Sequence, residues 1–453
     1  MKATHLPGRF RTVSIRVSLC SSLPILLAAG CAPKTETGQV IYAPDGRHAA
    51  FIRVETLAAL LPGTPAARQS AEVRWFHVDS PNTQRTVAIG AADYGDRPLT
   101  KAVRVAFSPA GDKLAVLAPD AIIAVDLAGR AWRVTPPDEN PTSFAWAGDE
   151  EIVYVSASRP KAGWFAGEQA PPQPTVWRQR TARPMQPRQM VRALRAAVEP
   201  GEQQPPAADA EFFSPDGRLL VYVDPPQGGR WHVLDVNDRT ARAFGEGGNF
   251  ADAVAWREDG SAAVCLSRTG ADGPPRMILL ETGTWQAFDL TRALMHSFGD
   301  TLISLAPRWT PDGKRIVLHT SDGGCLVRPN PWQVSRVART LVRKLDPISV
   351  TWTPPVRPLP VAPWVLVEGP GGEWHALDYD AERHFSVGRV QGAWAASPDA
   401  ARVVQVFADG HVAVRQLDLT PSESQQAPPA DLPAEPPAVE PAAGEPERGA
   451  LTP

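Results

Sequence analysis

Cysteine is scarce in this chain, with four in 453 residues, too few for the disulfide framework that holds many small exported domains together. Cys20 and Cys31 lie in or beside an N-terminal apolar stretch, which leaves Cys265 and Cys325 for a folded body. Both sit in strand-like runs, Ala263-Val264-Cys265-Leu266 and Cys325-Leu326-Val327, and are expected as small buried hydrophobes, with a bridge between them left open. An excess of charge of one sign is also missing. The net charge of −3 lacks the basic surplus that binders of phosphate backbones carry, which argues against nucleic acid as a partner. No apolar run approaches the roughly 20 residues that a helix needs to cross a bilayer. The nine histidines are scattered, so no close-spaced zinc motif arises. Gly-x-Ser-x-Gly, the strained turn that exposes a hydrolase serine, does not occur. These gaps leave no catalytic residue, cofactor or metal ligand to name, and they lean away from an enzyme without excluding one.

What is present begins at the N-terminus. Lys2, Arg9, Arg11 and Arg16 precede a short apolar stretch, Val17 to Ala29, that ends in small residues. This is the layout of an export signal. The run Leu27-Ala28-Ala29-Gly30-Cys31 resembles the cleavage site of bacterial lipoproteins, with Ala28 where that family more often carries Leu. The resemblance implies cleavage before Cys31, lipidation of Cys31, and two or three acyl chains, enough for durable anchoring. Ala32 in place of Asp points, by the sorting tendency of that family, to the outer membrane facing the periplasm. An ordinary secretory signal with an incidental Cys31 is the alternative.

The second signal is an internal repeat: an aromatic residue, a small or polar residue, then Pro-Asp-Gly and an apolar run. Clear copies are Tyr42-Ala43-Pro44-Asp45-Gly46, Phe213-Ser214-Pro215-Asp216-Gly217 and Trp309-Thr310-Pro311-Asp312-Gly313. Weaker ones start at Phe107, Trp146, Trp256, Trp352 and Trp394, and the eight aromatics are spaced by 65, 39, 67, 43, 53, 43 and 42 residues. A unit of about 40 residues with insertions has the length of a four-stranded propeller blade. Within it, Pro presets one turn angle, Gly supplies a positive φ, and the chain returns as a second strand. A third strand ends on an acid, as in Trp231-His232-Val233-Leu234-Asp235 and Trp374-His375-Ala376-Leu377-Asp378. A short fourth strand follows. Many of these runs are apolar on both faces, as strands covered by neighbours on each side must be.

These units resemble the WD40-like repeats of TolB-type propellers. The resemblance implies an all-β fold, a β-propeller of about eight, alternatively seven, four-stranded blades. The domain reading is a signal peptide over 1–30, a lipid-anchored linker over 31–37, the propeller over 38–419 and a tail over 420–453. The last unit runs straight into the tail, so the segment after Cys31 is expected to close the ring by completing the last blade.

Two insertions interrupt the repeat. Thr56 to Thr64 predicts a helical turn or two ahead of Pro62-Gly63, and 159–209 holds many prolines, a cationic run of six arginines from Arg178 to Arg195 and a predicted helix from Arg188 to Val198. A further basic run, Arg336, Arg339, Arg343 and Lys344, is expected on a solvent-facing fourth strand and its connection. Beyond Thr420 the chain turns to Pro, Ala and Glu, a composition that cannot bury a core.

His232 and His375 recur at one register, three residues before the acidic strand end. Two readings stand: a pair lining the central channel, or half-exposed relics of the repeat. Asp45, Asp216, Asp259 and Asp312 are expected to bond to their own turn backbones, and a calcium-binding ring of them is the sharper alternative. The functional expectation is a protein-binding scaffold or envelope-assembly component that meets membrane or envelope proteins through its blade loops. A propeller hydrolase or lyase, or a small-ligand binder, acting in the channel is the rival.

Overall fold

The computed structural model describes residues 34–419, apart from 58–67, 93–98, 138, 159–172, 183–185, 195–211, 225–228, 247–249, 269–274, 300–301, 321–322, 336–355, 370–371 and 381–382. The strands form eight consecutive antiparallel sheets, each a meander paired only with itself. Blade one is Lys34–Tyr42, His48–Leu57, Arg68–His77 and Arg85–Ala92; blade two is Arg104–Phe107, Lys113–Ala118, Ala121–Asp126 and Ala131–Arg133. Blade three is Pro141–Trp146, Glu151–Ser158, Gln173–Arg180 and Gln189–Ala193. Blade four opens on a single bridge from Phe213 to Leu220 and continues as Leu219–Asp224, Arg230–Asp235 and Thr240–Glu246. Blade five is Phe250–Trp256, Ala262–Arg268, Pro275–Glu281 and Gln286–Asp289; blade six is Leu302–Trp309, Ile316–Thr320, Gly323–Pro329 and Trp332–Ser335. Blade seven is Val356–Pro358, Trp364–Glu368, Glu373–Asp378 and Arg383–Arg389, and blade eight is Ala393–Ala396, Arg402–Val406 and Val412–Gln416.

Seven apolar clusters lie between the blades and link all eight into a closed ring, an eight-bladed β-propeller. Strands apolar on both faces make this possible: Lys113–Ala118 is buried at every position but its first, because each sheet face is covered by a neighbour. Cys265 and Cys325 are both buried and not joined in a disulfide, as two small hydrophobes on the second strand of blade five and the third strand of blade six.

The ring closes differently from the sequence expectation. Lys34–Tyr42 is the first strand of blade one, paired with His48–Leu57, and among the described residues blade eight has three strands. The reason is local: Ala43-Pro44-Asp45-Gly46 ties that strand to its successor by a tight turn, with Gly46 N–H on Ala43 O at 2.9 Å. Blades eight and one instead meet through Val404, Val406 and Val412 against Ala49, Phe51, Phe76 and Val78. Thr37 Oγ1 donates to Phe407 O at 3.2 Å across the same junction, and Arg402 pairs with Asp79 at 2.7 Å.

The insertions also read differently. The helix expected over Arg188 to Val198 is a strand over Gln189–Ala193, and none of its described residues is helical. It is pinned by Gln173–Arg180, where Trp177 pairs with Met190 and Val176 with Arg192. The 159–209 insertion therefore contains the outer half of blade three. Thr56 and Leu57 end the second strand of blade one, while the rest of that predicted turn and the 336–344 basic run lie outside the described residues.

Candidate functional site

The repeated turn sets the geometry of one face. Ser214, Thr310 and Ser397 are buried, and each hydroxyl donates to the turn carboxylate two residues on, at 2.5 Å to Asp216, 2.6 Å to Asp312 and 2.5 Å to Asp399. The same oxygens accept the backbone N–H of Leu219, Arg315 and Arg402. The carboxylates in turn accept N–H from Arg218, Lys314 and Ala401, each at 3.0 Å. Asp45 and Asp259 accept from Arg47 and Ser261 in the same way. Hydrogen bonds from Ser261 to Asp259 and from Ser397 to Asp399 hold both acids below the usual carboxylate range. The turn acids are thus consumed locally, and among the described residues no three of His, Cys, Asp and Glu converge as a metal site would need.

The anchoring aromatics join blades. Trp146 donates its indole N–H to Ala106 O at 3.1 Å, Trp256 to Phe212 O at 3.2 Å and Trp309 to Ala255 O at 2.9 Å. Each acceptor immediately precedes the aromatic of the blade before, so one bond recurs at three blade junctions. Two expected anchors differ. Trp352 lies outside the described residues, and the equivalent place in blade seven is Pro358, since Leu359 N–H bonds Trp364 O as Thr310 N–H bonds Arg315 O. In blade eight it is Ala396, paired with Val403; Trp394, two residues earlier, packs edge-on against Trp374 at 5.5 Å.

Where the first strands of blades four to seven reach these turns, a cleft of about 420 Å³ opens. Its wall carries Phe213, Trp256 and Trp309, a set of prolines that includes Pro215, Pro311 and Pro360, and two charged groups, Arg308 and Glu258. Arg308 is exposed. Arg357 holds the equivalent place in blade seven, with its guanidinium 5.6 Å from the Trp374 ring and 5.1 Å from the Trp394 ring. Burial, and then the like charge of Arg308, lowers the Arg357 pKa, with Glu368 opposing. His319, hydrogen-bonded through Nε2 to Val356 O at 3.1 Å, is held below the ordinary imidazole value chiefly by burial, with Arg308 and Arg357 adding to the effect. Among the described residues neither arginine forms an ion pair; Arg308 stands in the cleft wall with Glu258, and Arg357 lies outside it.

The residues singled out from sequence fall elsewhere. Cys31 lies outside the described residues. His232 and His375 sit on the third strands of blades four and seven, two strands away from the inner one, and do not line the channel together. His232 stacks on Tyr222 at 5.4 Å. His375 is 8% exposed, more buried than the half-exposed relic expected, and burial depresses its pKa. Arg308 and Arg357 were missed. The position before the anchor reads Ile41, Ala106, Ala145, Phe212, Ala255 and Ala395 in six units and Arg in the other two, a signal visible only once blade seven is framed on Pro358.

No protein-family model matches the chain, and no curated protein matches it. Solved structures similar to it include the Cps50 (Swd1) β-propeller domain of Myceliophteria thermophila, at 13% identity and TM-score 0.38, over 70% of this chain and 98% of that one. Kuenenia stuttgartiensis hydrazine synthase is similar at 14% identity and TM-score 0.40, over 70% and 95%. An oligogalacturonate lyase in complex with manganese is similar at 12% identity and TM-score 0.42, over 84% and 89%. The fold of this chain, shown by its own eight sheets and the clusters between them, is that of a β-propeller.

Proposed function

We propose that this chain is a lipid-anchored, exported β-propeller of a bacterial envelope that works by binding other proteins. The observation that carries the binding part is the chemistry of the cleft. Its wall is aromatic and proline-rich, the lining of a contact site. Arg308, its cationic group, presents a planar fork of N–H donors that orients and attracts a carboxylate or carbonyl partner. The anchoring part rests on the Leu27-Ala28-Ala29-Gly30-Cys31 run and on Lys34, three residues later, opening the first strand. Cys31 would hold the ring by a short tether, with the outer membrane facing the periplasm as the favoured site.

The test is a detergent pull-down of tagged full-length protein from its native envelope, beside Cys31→Ser, with metabolic labelling by a fatty acid. The expected result is label on the parent protein only, and a near-stoichiometric protein partner lost or mislocalised in Cys31→Ser. Label on neither form removes the anchor; clean recovery without a partner from both removes the scaffold.

A further inference from the structure

The chain carries its own candidate occupant for the cleft. Blade eight ends on its third strand, Val412–Gln416, whose last residue pairs with Arg402 beside the Ser397–Asp399 turn. The chain therefore leaves the ring on the face that bears the repeated turns, which is the face where Pro215 and Pro311 line the cleft. Leu417 N–H bonds Ala401 O at 2.8 Å, and Leu417 and Leu419 then pack into the cluster that contains Leu359. Leu359 is itself part of the cleft wall. The last described residue thus packs at the junction of blades seven and eight, in the cluster that borders the site.

Residues 420–453 follow. They hold six carboxylates, Glu423, Asp431, Glu435, Glu440, Glu445 and Glu447, against the single Arg448, and prolines throughout. In a polyproline II conformation, at about 3.1 Å per residue, these 34 residues reach roughly 105 Å, several times the span of a cleft shared by four blades. Such helices dock on aromatic- and proline-lined grooves because little conformational freedom remains to be lost. Charge complements shape: Pro-flanked glutamates such as Glu435 and Glu440 meet a wall where Arg308 has no ion-pair partner among the described residues.

We propose that the acidic, proline-rich segment 420–453 occupies the turn-face cleft of its own propeller, with a glutamate of the segment paired to Arg308. The segment then competes with any outside partner for that site. The inference shares only the cleft with the proposed function and does not depend on the lipid anchor.

The test uses the full-length protein with photoreactive p-benzoylphenylalanine replacing Glu258, an exposed residue of the cleft wall. After irradiation the monomer band is digested and the cross-linked peptides are sequenced by mass spectrometry. The expected adducts fall within 420–453. Their yield drops about twofold to fivefold in Arg308→Glu, as one partly exposed ion pair implies, and recovers when Glu435→Arg and Glu440→Arg are added. Glu435→Arg/Glu440→Arg alone lowers the yield equally without touching the propeller, which covers the case of a misfolded arginine variant. Adducts confined to other blades, adducts to a second copy, or yields indifferent to charge reversal overturn the proposal. Such failure leaves the partner pull-down above unaffected.

Discussion

The indole N–H of Trp309 in blade six lies 2.9 Å from the carbonyl oxygen of Ala255 in blade five, and Trp309 is buried. The Arg257 guanidinium sits 4.6 Å above the same ring. One side chain therefore fills the groove between two blades and satisfies a backbone carbonyl of its neighbour. Trp309→Phe keeps most of the ring and deletes the donor, leaving Ala255 O unpaired. The expected cost is about 1–2 kcal/mol, read as a lower urea midpoint at unchanged slope. Trp146→Phe, which removes the same bond to Ala106, should cost a similar amount. A loss confined to one of the two would mean that the bond is not a shared device of the ring.

The turn glycine gives a second prediction. Gly217 has φ +67, and a Cβ there would lie 2.5 Å from Trp146 O. Gly217→Ala therefore combines a left-handed backbone with a clash against a fixed carbonyl, and should cost about 2 kcal/mol or more. Blade eight already carries Ala400 in this place, at φ +53 and fully buried. Ala400→Gly relieves about 1 kcal/mol of backbone strain and gives up a buried methyl worth about 0.8 kcal/mol. The two nearly cancel, so its melting temperature should match the parent while that of Gly217→Ala falls.

The contrast between these turns shows what was legible in the residues alone. Asp-Gly turns and the aromatics before them announce the blades, because a hairpin needs its φ preset and its positive-φ position within five residues. Blade seven hides because Leu359 to Pro363 makes the same connection without Asp or Gly, and Trp352 offers a false frame. The nearness of Arg308 and Arg357 was illegible for the same reason, since they become neighbours only when two blades are set side by side. Gln189–Ala193 reads as helix in isolation, and its partner strand decides otherwise. The helix Thr291–Phe298 buries only Leu294 and Phe298, too faint a period to notice.

Ring closure supplies a third prediction, which sets a salt bridge against an apolar contact. Arg402 and Asp79 join blades eight and one at 2.7 Å, with side chains 39% and 64% exposed. Solvent screening limits such a pair to less than about 1 kcal/mol, so Arg402→Ala should shift the urea midpoint slightly, and less still in high salt. Phe51, fully buried in the same junction, should cost about 3–5 kcal/mol on Phe51→Ala. If Arg402→Ala proved the more damaging, closure would be electrostatic rather than apolar.

The fourth prediction concerns acid. His319 and His375 have folded-state pKa values below the ordinary imidazole value, both chiefly through burial. An unfolded chain takes up protons at these residues near pH 6.5, before the folded protein does. Their contribution to stability is therefore complete above about pH 6.5 and is lost as pH falls through the depressed folded values. Asp259 and Asp399, lowered by hydrogen bonds to their turns, lose theirs only below about pH 4, so the two windows separate. Melting temperature should decline between pH 7 and pH 5 and drop again below pH 4. Replacing the buried imidazole in His375→Gln should lessen the upper decline, with His319 supplying the remainder, and leave the lower one in place, because an amide does not titrate. A parent protein whose melting temperature is level from pH 7 to pH 5 would show that neither histidine is kept neutral by its burial.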